Sequence, residues 1–469
     1  MLAFLFVPLA RAQTPPIGVK VAVTDEGGSA ALAPRFMGLS YETSMLLPQN
    51  GRYYFDSHDR ALVQTFRTLG IRSLRVGGNS VDDPRIPVPQ EKDIEPLFDF
   101  ARAAGVKVIY SFRLKNGDPA VSARLARSIA ARDADALSCF AIGNEPDLFH
   151  RQLTFGEFFA QWKPHYDAIL QAVPSAMFDG PSATTARAFV LDLARALFPQ
   201  GHLKMASDHY YFLGSGRAAE KDPAASRARF LSNRLHADYA KDYAAVGAVL
   251  AAEGVPYRID EMNSCYNGGA KDSSDTYASA LWALDCTHWW AARHILGVNY
   301  HTGESVGRDG GFGAPNYAAF VRDADRGGFA MRPLAYALLA FRMGAQGRPL
   351  PVQVDAAPSL NFAAYAFRAA DGSLYLTLIN KSYGSHGSAA AVALELPQGS
   401  GTTMERMDLV QQDGDVAAKS GLTLGGAEID HQGTWAGRWE SLADANSGSP
   451  EVTVAAASAT VLRFSAGSK

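Results

Sequence analysis

The chain has 469 residues, 47% of them hydrophobic and 19% charged. That balance excludes wholesale disorder, and the length exceeds one ordinary core, so two domains are expected. A formal charge of -3 excludes the broad basic surface that general nucleic-acid or membrane-surface binding needs, so an anionic ligand must be met by local groups.

Residues 2–10 are apolar but far too few to span a bilayer. Ala10-Arg11-Ala12 follows them and fits a small-x-small cleavage pattern. Residues 1–12 are therefore expected to be a signal peptide and the product to be secreted or periplasmic. No Lys or Arg precedes the apolar run, so either the true start lies upstream or the signal is atypical. Cys139, Cys265 and Cys286 form neither a disulfide framework nor a zinc ribbon. Three buried thiols are expected, with one Cys265–Cys286 bridge as the alternative.

Residues 18–23 alternate as a strand does and run into a turn-rich stretch. From about residue 34 short apolar runs alternate with helical periodicity. The strand-like runs are 36–40, 73–76, 106–112, 137–142, 176–179, 203–207, 257–260 and 297–300. Helix-period segments lie at 58–69, 94–104, 120–131, 155–172, 224–252 and 276–294, with a last one at 333–341. Eight strands alternating with helices predict a closed parallel (β/α)₈ barrel. Beyond residue 347 the runs are short, strand-like and separated by Gly, Ser, Asp and Pro, which predicts a β-sandwich. The expected organisation is a barrel over 33–346 and a sandwich over 347–469. The strand within 13–32, which nothing in the barrel needs, joins the sandwich.

Functional side chains of such a barrel sit at the C-terminal ends of its strands. The fourth run leads into Gly143-Asn-Glu-Pro-Asp147 and the seventh into Asp260-Glu-Met-Asn263. Glu145 and Glu261 thus reach the same rim. Two carboxylates facing one cavity are the minimum equipment for glycoside hydrolysis: one protonates the leaving oxygen, while the other attacks the anomeric carbon or activates water. Either glutamate alone is weak evidence, since Asn-Glu-Pro is a common helix-start pattern and Glu261 beside Asp260 reads equally as an ordinary strand-end ion pair.

The Asn-Glu of the fourth strand and the glutamate of the seventh resemble the acid/base and nucleophile positions of the retaining clan A glycosidases. Within that clan the chain is most similar to glycoside hydrolase family 79, the heparanases and β-glucuronidases. The stretches that carry the likeness are Gly38-Leu-Ser-Tyr-Glu42, Leu74-Arg-Val-Gly-Gly-Asn79, Asp208-His-Tyr-Tyr211, Tyr266-Asn-Gly-Gly269 and Asn299-Tyr-His301. The resemblance implies a retaining enzyme with Glu145 as acid/base and Glu261 as nucleophile, their carboxyl groups about 5–5.5 Å apart. It implies that Asn144 bonds the sugar 2-hydroxyl, Tyr210 orients the nucleophile and Arg75 holds a carboxylate ionised from below. Tyr300 and the Gly268 backbone would meet the uronate carboxylate, Tyr266 would pack nearby, and Glu42 and Asn79 would bond ring hydroxyls. Asn267 and Val298 depart from the glycines the family uses.

The implied substrate is a glucuronic-acid-containing polysaccharide such as heparan sulfate. The short 80–90 connection favours endo over exo cleavage, with Arg113, Lys115, Arg151 and Lys163 as candidates for a polyanion groove. A non-catalytic carbohydrate-binding protein is the competing class, and it predicts loss of a glutamate that is in fact present. No cofactor is expected. No metal site is expected either, because His209 and His301 stand singly and far apart in sequence. Neither nucleic acid nor membrane is an expected partner, and a monomer is the default.

Overall fold

The computed structural model describes residues 15–26, 29–302, 305–306, 312–401, 403–442 and 450–465. The signal-peptide expectation for residues 1–12 lies outside them. Strand β1 (Ile17–Val23) comes first. Eight parallel strands then close a barrel in chain order: β2 (Met37–Glu42), β3 (Ser73–Gly77), β4 (Lys107–Phe112), β5 (Leu137–Ile142), β6 (Phe178–Ala183), β7 (Leu203–Tyr211), β8 (Tyr257–Asn263) and β9 (Gly297–His301). This is the expected (β/α)₈ fold. Strands β3, β6, β8 and β9 are buried along their whole length, as parallel strands covered on both faces must be.

The helices form where local chemistry starts and stops them. Asp59 caps Arg60–Leu69 by accepting from the Leu62 N–H, and Gly70 ends it. Thr154 and Glu157 make a reciprocal capping box at the head of Phe155–Ala172. The single helix expected over 224–252 is three: Pro223–Phe230, Leu235–Ala245 and Gly247–Ala252. Helix Arg187–Leu197, between β6 and β7, lay outside the expected set.

Two sheets follow the barrel. One has the order Val352–Ala356, β1, Ala390–Glu395 and Glu451–Val454. In it β1 pairs parallel with Ala390–Glu395 and antiparallel with Val352–Ala356. The other contains Phe362–Arg368, Leu374–Asn380, Ser458–Ser465 and Thr403–Gln411. Their facing apolar side chains, among them Val19, Val21, Leu376, Val392 and Leu462, make a core of their own. The outer face of the second sheet is continuous with the barrel core, and this explains helices Tyr277–Ala291 and Pro333–Gly344. The first is buried on every side and the second nearly so. A helix apolar all round is one covered all round.

All three cysteines are buried free thiols, so the alternative Cys265–Cys286 bridge is absent. No helix among the described residues is long and apolar enough to cross a membrane.

Candidate active site

Alternation along a strand sends every second side chain toward the barrel axis. On β2 these are Ser40 and Glu42, on β3 Arg75, on β7 His209 and Tyr211, and on β9 Asn299 and His301, as their mutual contacts show. Strand β8 departs from simple alternation. Its register against β9 shifts between Ile259 and Met262, and such irregularities re-aim side chains. As a result the neighbours Asp260 and Glu261 both face the interior. Asp260 Oδ2 accepts from Ser182 at 2.6 Å and lies 3.2 Å from Arg75 Nε. Glu261 Oε2 accepts from Arg75 Nη1 at 2.5 Å and Oε1 accepts from the Tyr211 hydroxyl at 2.7 Å.

Arg75 organises this floor. Its guanidinium is fully buried and also donates to Ser40 Oγ (3.1 Å) and Asn144 Oδ1 (2.7 Å). With its oxygen tied to Arg75, the Asn144 amide turns its NH₂ toward Asn79 Oδ1 at 3.2 Å. Gly78, directly after β3, is sterically required. Gly78 has φ +67°, and a Cβ there would lie 2.5 Å from the Glu42 carboxylate, which itself accepts from the Ser80 N–H at 2.8 Å.

Glu145 is positioned differently. It leaves β5 in the left-handed region (φ 44°, ψ 52°), and Pro146 starts the next turn. Its N–H is held by Ser182 O at 2.9 Å. Asp147 accepts from the N–H groups of Thr184, Thr185 and Ala186, which ties the loop after β6 to the acidic motif. Among the described residues the Glu145 carboxylate meets one partner, His209 Nδ1, at 2.9 Å. One ligand atom each of Glu145, His209 and Glu261 lies within 4.8 Å of the others.

The electrostatics separate the two glutamates. Burial by itself would raise the Glu261 carboxyl, but His301, His209 and Arg75 and the Tyr211 hydrogen bond outweigh it. They hold Glu261 well below the usual carboxylate range. Burial would lower His209, but Glu261, its hydrogen bond to Glu145 and Asp260 push it up to about 9. His301 is also raised, against its burial, by Glu261 and Glu42. Three groups of metal-ligand type therefore meet at Glu145, His209 and Glu261, although their sequence separation hid this. The same cluster also serves proton transfer, since His209 Nδ1 already bonds the Glu145 carboxylate at 2.9 Å.

Above the floor is a cavity of about 460 Å³. Of the residues expected at the site, Glu42, Asn79, Glu145, Glu261, Tyr266 and Gly268 line it. Asn144 borders an adjoining hollow of about 390 Å³ that shares Asn79, Glu145 and Leu148 with the cavity. Arg75 lies beneath, against Glu261.

Two expected residues lie elsewhere. Tyr210 faces away from the axis and packs edge-on against Trp290, its ring centroid 5.9 Å away. Its neighbour Tyr211 makes the bond to Glu261 instead. Strand six runs on to Tyr211 rather than ending near residue 207, so alternation puts His209 and Tyr211 inside and Tyr210 outside. Tyr300 is likewise buried outward, its hydroxyl bonded to Thr287 Oγ1 at 2.8 Å and Ala283 O at 3.2 Å. His301 takes the inward position. Tyr317, Thr302 and Asn267 also line the cavity, and Tyr317 has Tyr211 and the Gly268 backbone as hydrogen-bonding neighbours. The two-residue period of β7 and β9 was the signal for His209, Tyr211 and His301. Nothing local marked Tyr317, which follows β9 by a long connection.

The expected polyanion groove is only partly available. Arg113 donates to the carbonyls of Val81, Asp83 and Ile86, and Lys163 is paired with Asp167. Arg151 is exposed. Lys115 borders the smaller hollow, 5.3 Å from the Phe149 ring centre.

No family model matches the chain. A β-glucuronidase of Aspergillus niger is 23% identical over 346 residues, and the match spans 63% of this chain and 63% of the fungal enzyme. The fold is similar to that of a 4-O-α-L-rhamnosyl-β-D-glucuronidase from Fusarium oxysporum 12S, with TM-score 0.70 and 19% identity, over 95% of this chain and 100% of that one. It is also similar to a family 51 α-L-arabinofuranosidase from Thermotoga petrophila RKU-1, with TM-score 0.68 and 13% identity, over 96% and 100%.

Proposed function

We propose that this protein is a retaining β-glucuronidase of the family 79 type, acting on glucuronic-acid-containing polysaccharide. The carrying observation is the pair itself. Glu145 and Glu261 stand at the ends of the fourth and seventh barrel strands with one oxygen of each carboxylate within 4.8 Å of the other, an approach that supports the close spacing of double displacement. Glu145 gives a proton to the glycosidic oxygen as Glu261 attacks the anomeric carbon, and the leaving alcohol departs. Glu145 then takes a proton from the water that attacks the glycosyl ester, and Glu261 is released as carboxylate. The proton on the 2.9 Å His209–Glu145 bond is placed to move between these states.

Asn144, its oxygen held by Arg75, offers an N–H toward a sugar 2-hydroxyl, a contact that strengthens as charge develops. Among the described residues lining the cavity none is Lys or Arg. A uronate carboxylate would be met by neutral donors, for which Tyr266, Tyr317, Thr302 and the Asn267–Gly268 turn are placed. The names of the fungal relatives support the glucuronide reading.

Endo cleavage of a glycosaminoglycan such as heparan sulfate is the mode we favour. Arg113 ties the 80–90 segment down, and the cavity opens there into the second hollow. Exo release of terminal glucuronate is the second reading, favoured by the internal pairing of Arg113 and Lys163. The test is incubation with size-defined heparan sulfate and with 4-nitrophenyl β-D-glucuronide, beside Glu145→Ala and Glu261→Ala. Mid-sized fragments absent from both variants are expected. Turnover of the small glucuronide alone selects the exo mode. Cleavage of neither by the native chain refutes the glucuronate reading.

A further inference from the structure

A second cavity of about 450 Å³ lies where the barrel meets the sandwich, and it shares no lining residue with the catalytic one. Arg293 and His294 line it just before β9, whereas His301 at the other end of β9 lines the catalytic cavity. The two therefore sit at opposite ends of the barrel strands.

Three features of this cavity point to a ligand. Its ionisable lining is cationic or potentially so: Arg293, His236 and His294, with the Tyr365 hydroxyl and no carboxylate. The one acid close behind, Asp285, is already engaged by Lys381 Nζ (2.6 Å), the Tyr365 hydroxyl (2.6 Å) and His236 Nε2 (3.0 Å). Arg293 has no carboxylate partner among the described residues. It is fixed instead by stacking on Trp289 and by donating to the Trp289 carbonyl at 2.9 Å, and burial lowers it to about 10. A half-buried guanidinium without a counter-ion is costly unless an anion meets it.

The wall adds backbone donors. Phe362–Arg368 is paired along its whole length with Leu374–Asn380, but on its other edge Arg348–Leu350 covers only Ala366–Arg368. The open edge at 362–365 faces the cavity over the small side chains of Ala363 and Ala364. Four residues are too few for an added peptide strand, which typically runs to about five or six. The volume, about 450 Å³, is close to the 460 Å³ of the catalytic cavity.

We infer that this cavity is a second, non-catalytic site for a carboxylate-bearing sugar, holding a uronate end or branch of the glycan through Arg293, with His236 and the open strand edge as further partners. The choice of a uronate rests on the function proposed above.

The test is equilibrium dialysis of the intact chain against labelled D-glucuronic acid, with D-glucose, acetate and a hexaglutamate peptide as separate probes. Turnover of 4-nitrophenyl β-D-glucuronide is measured in parallel. Two glucuronates per chain are expected, falling to one in Arg293→Gln, which removes the guanidinium charge and keeps part of the apolar stem that stacks on Trp289. Turnover should stay within about twofold of the native chain. The neutral control, glucose, which lacks the carboxylate, should not fill the second site, and acetate should compete only weakly. One glucuronate per chain in both proteins, with turnover intact, overturns the second site and leaves the catalytic reading standing. Equal filling by glucose, or preferential filling by hexaglutamate, overturns the uronate assignment. Loss of turnover in the native chain instead strikes the function proposed above.

Discussion

The two carboxylate arms of the active site are built on opposite plans. Glu261 lies within a fully buried strand and is gripped by Arg75 and Tyr211, with His301 and His209 close by. Glu145 sits past a strand end on a left-handed backbone, more exposed, with His209 as its carboxylate's single partner among the described residues. In the double displacement proposed above, the difference teaches how one cavity would serve two roles. A nucleophile must stay ionised and aimed, so it is surrounded by donors. An acid/base must change protonation twice per turnover, so it is left with one partner that itself exchanges a proton.

The largest effect should come from the gripped arm. Glu261→Ala is expected to lower kcat on 4-nitrophenyl β-D-glucuronide by about 10⁴-fold or more, as loss of a covalent nucleophile does. Glu145→Ala should cost about 10²–10⁴-fold on a glycan, whose leaving alcohol needs a proton, and markedly less on the nitrophenyl substrate, whose leaving group does not. Equal losses on both substrates would break the contrast. Tyr211→Phe removes a hydrogen bond to a charged group, worth about 1.5–3 kcal/mol, so kcat should fall about 10–100-fold. Tyr210→Phe, facing Trp290, should leave kcat unchanged. The reverse ranking would mean that the neighbours are exchanged.

The smallest effect is on pH dependence. His209 is raised in the folded chain to about 9 from an unfolded value of about 6.5. Its stabilising contribution is therefore fully present below about pH 6.5 and is lost as pH climbs through about 9. Thermal unfolding followed by circular dichroism should show Tm declining across that window, and the decline should flatten in His209→Gln.

The barrel and the carboxylate pair were legible because both rest on local signals: apolar runs at regular spacing, and acidic residues placed where those runs end. The errors came where one residue of register decides the outcome. Ending strand six at 207 rather than Tyr211 removed the alternation that separates Tyr210 from Tyr211, and the same parity sends Tyr300 out and His301 in. The irregularity in β8 that turns both Asp260 and Glu261 inward has no local signature. His209 and His301 looked unrelated because only barrel closure brings β7, β8 and β9 together around Glu261. Arg113 was a candidate for a polyanion groove, but its guanidinium is spent on the carbonyls of Val81, Asp83 and Ile86, contacts that no local sequence signal announces.

The most direct measurement is to trap the intermediate with 2-deoxy-2-fluoro-β-D-glucuronyl fluoride, digest the protein and find the labelled peptide by mass spectrometry. One fluoroglucuronyl group on Glu261 is predicted, with Glu145 unmodified. A label on Glu145 would contradict the division of labour between the two arms, and steady hydrolysis of the reagent with no covalent adduct would contradict double displacement.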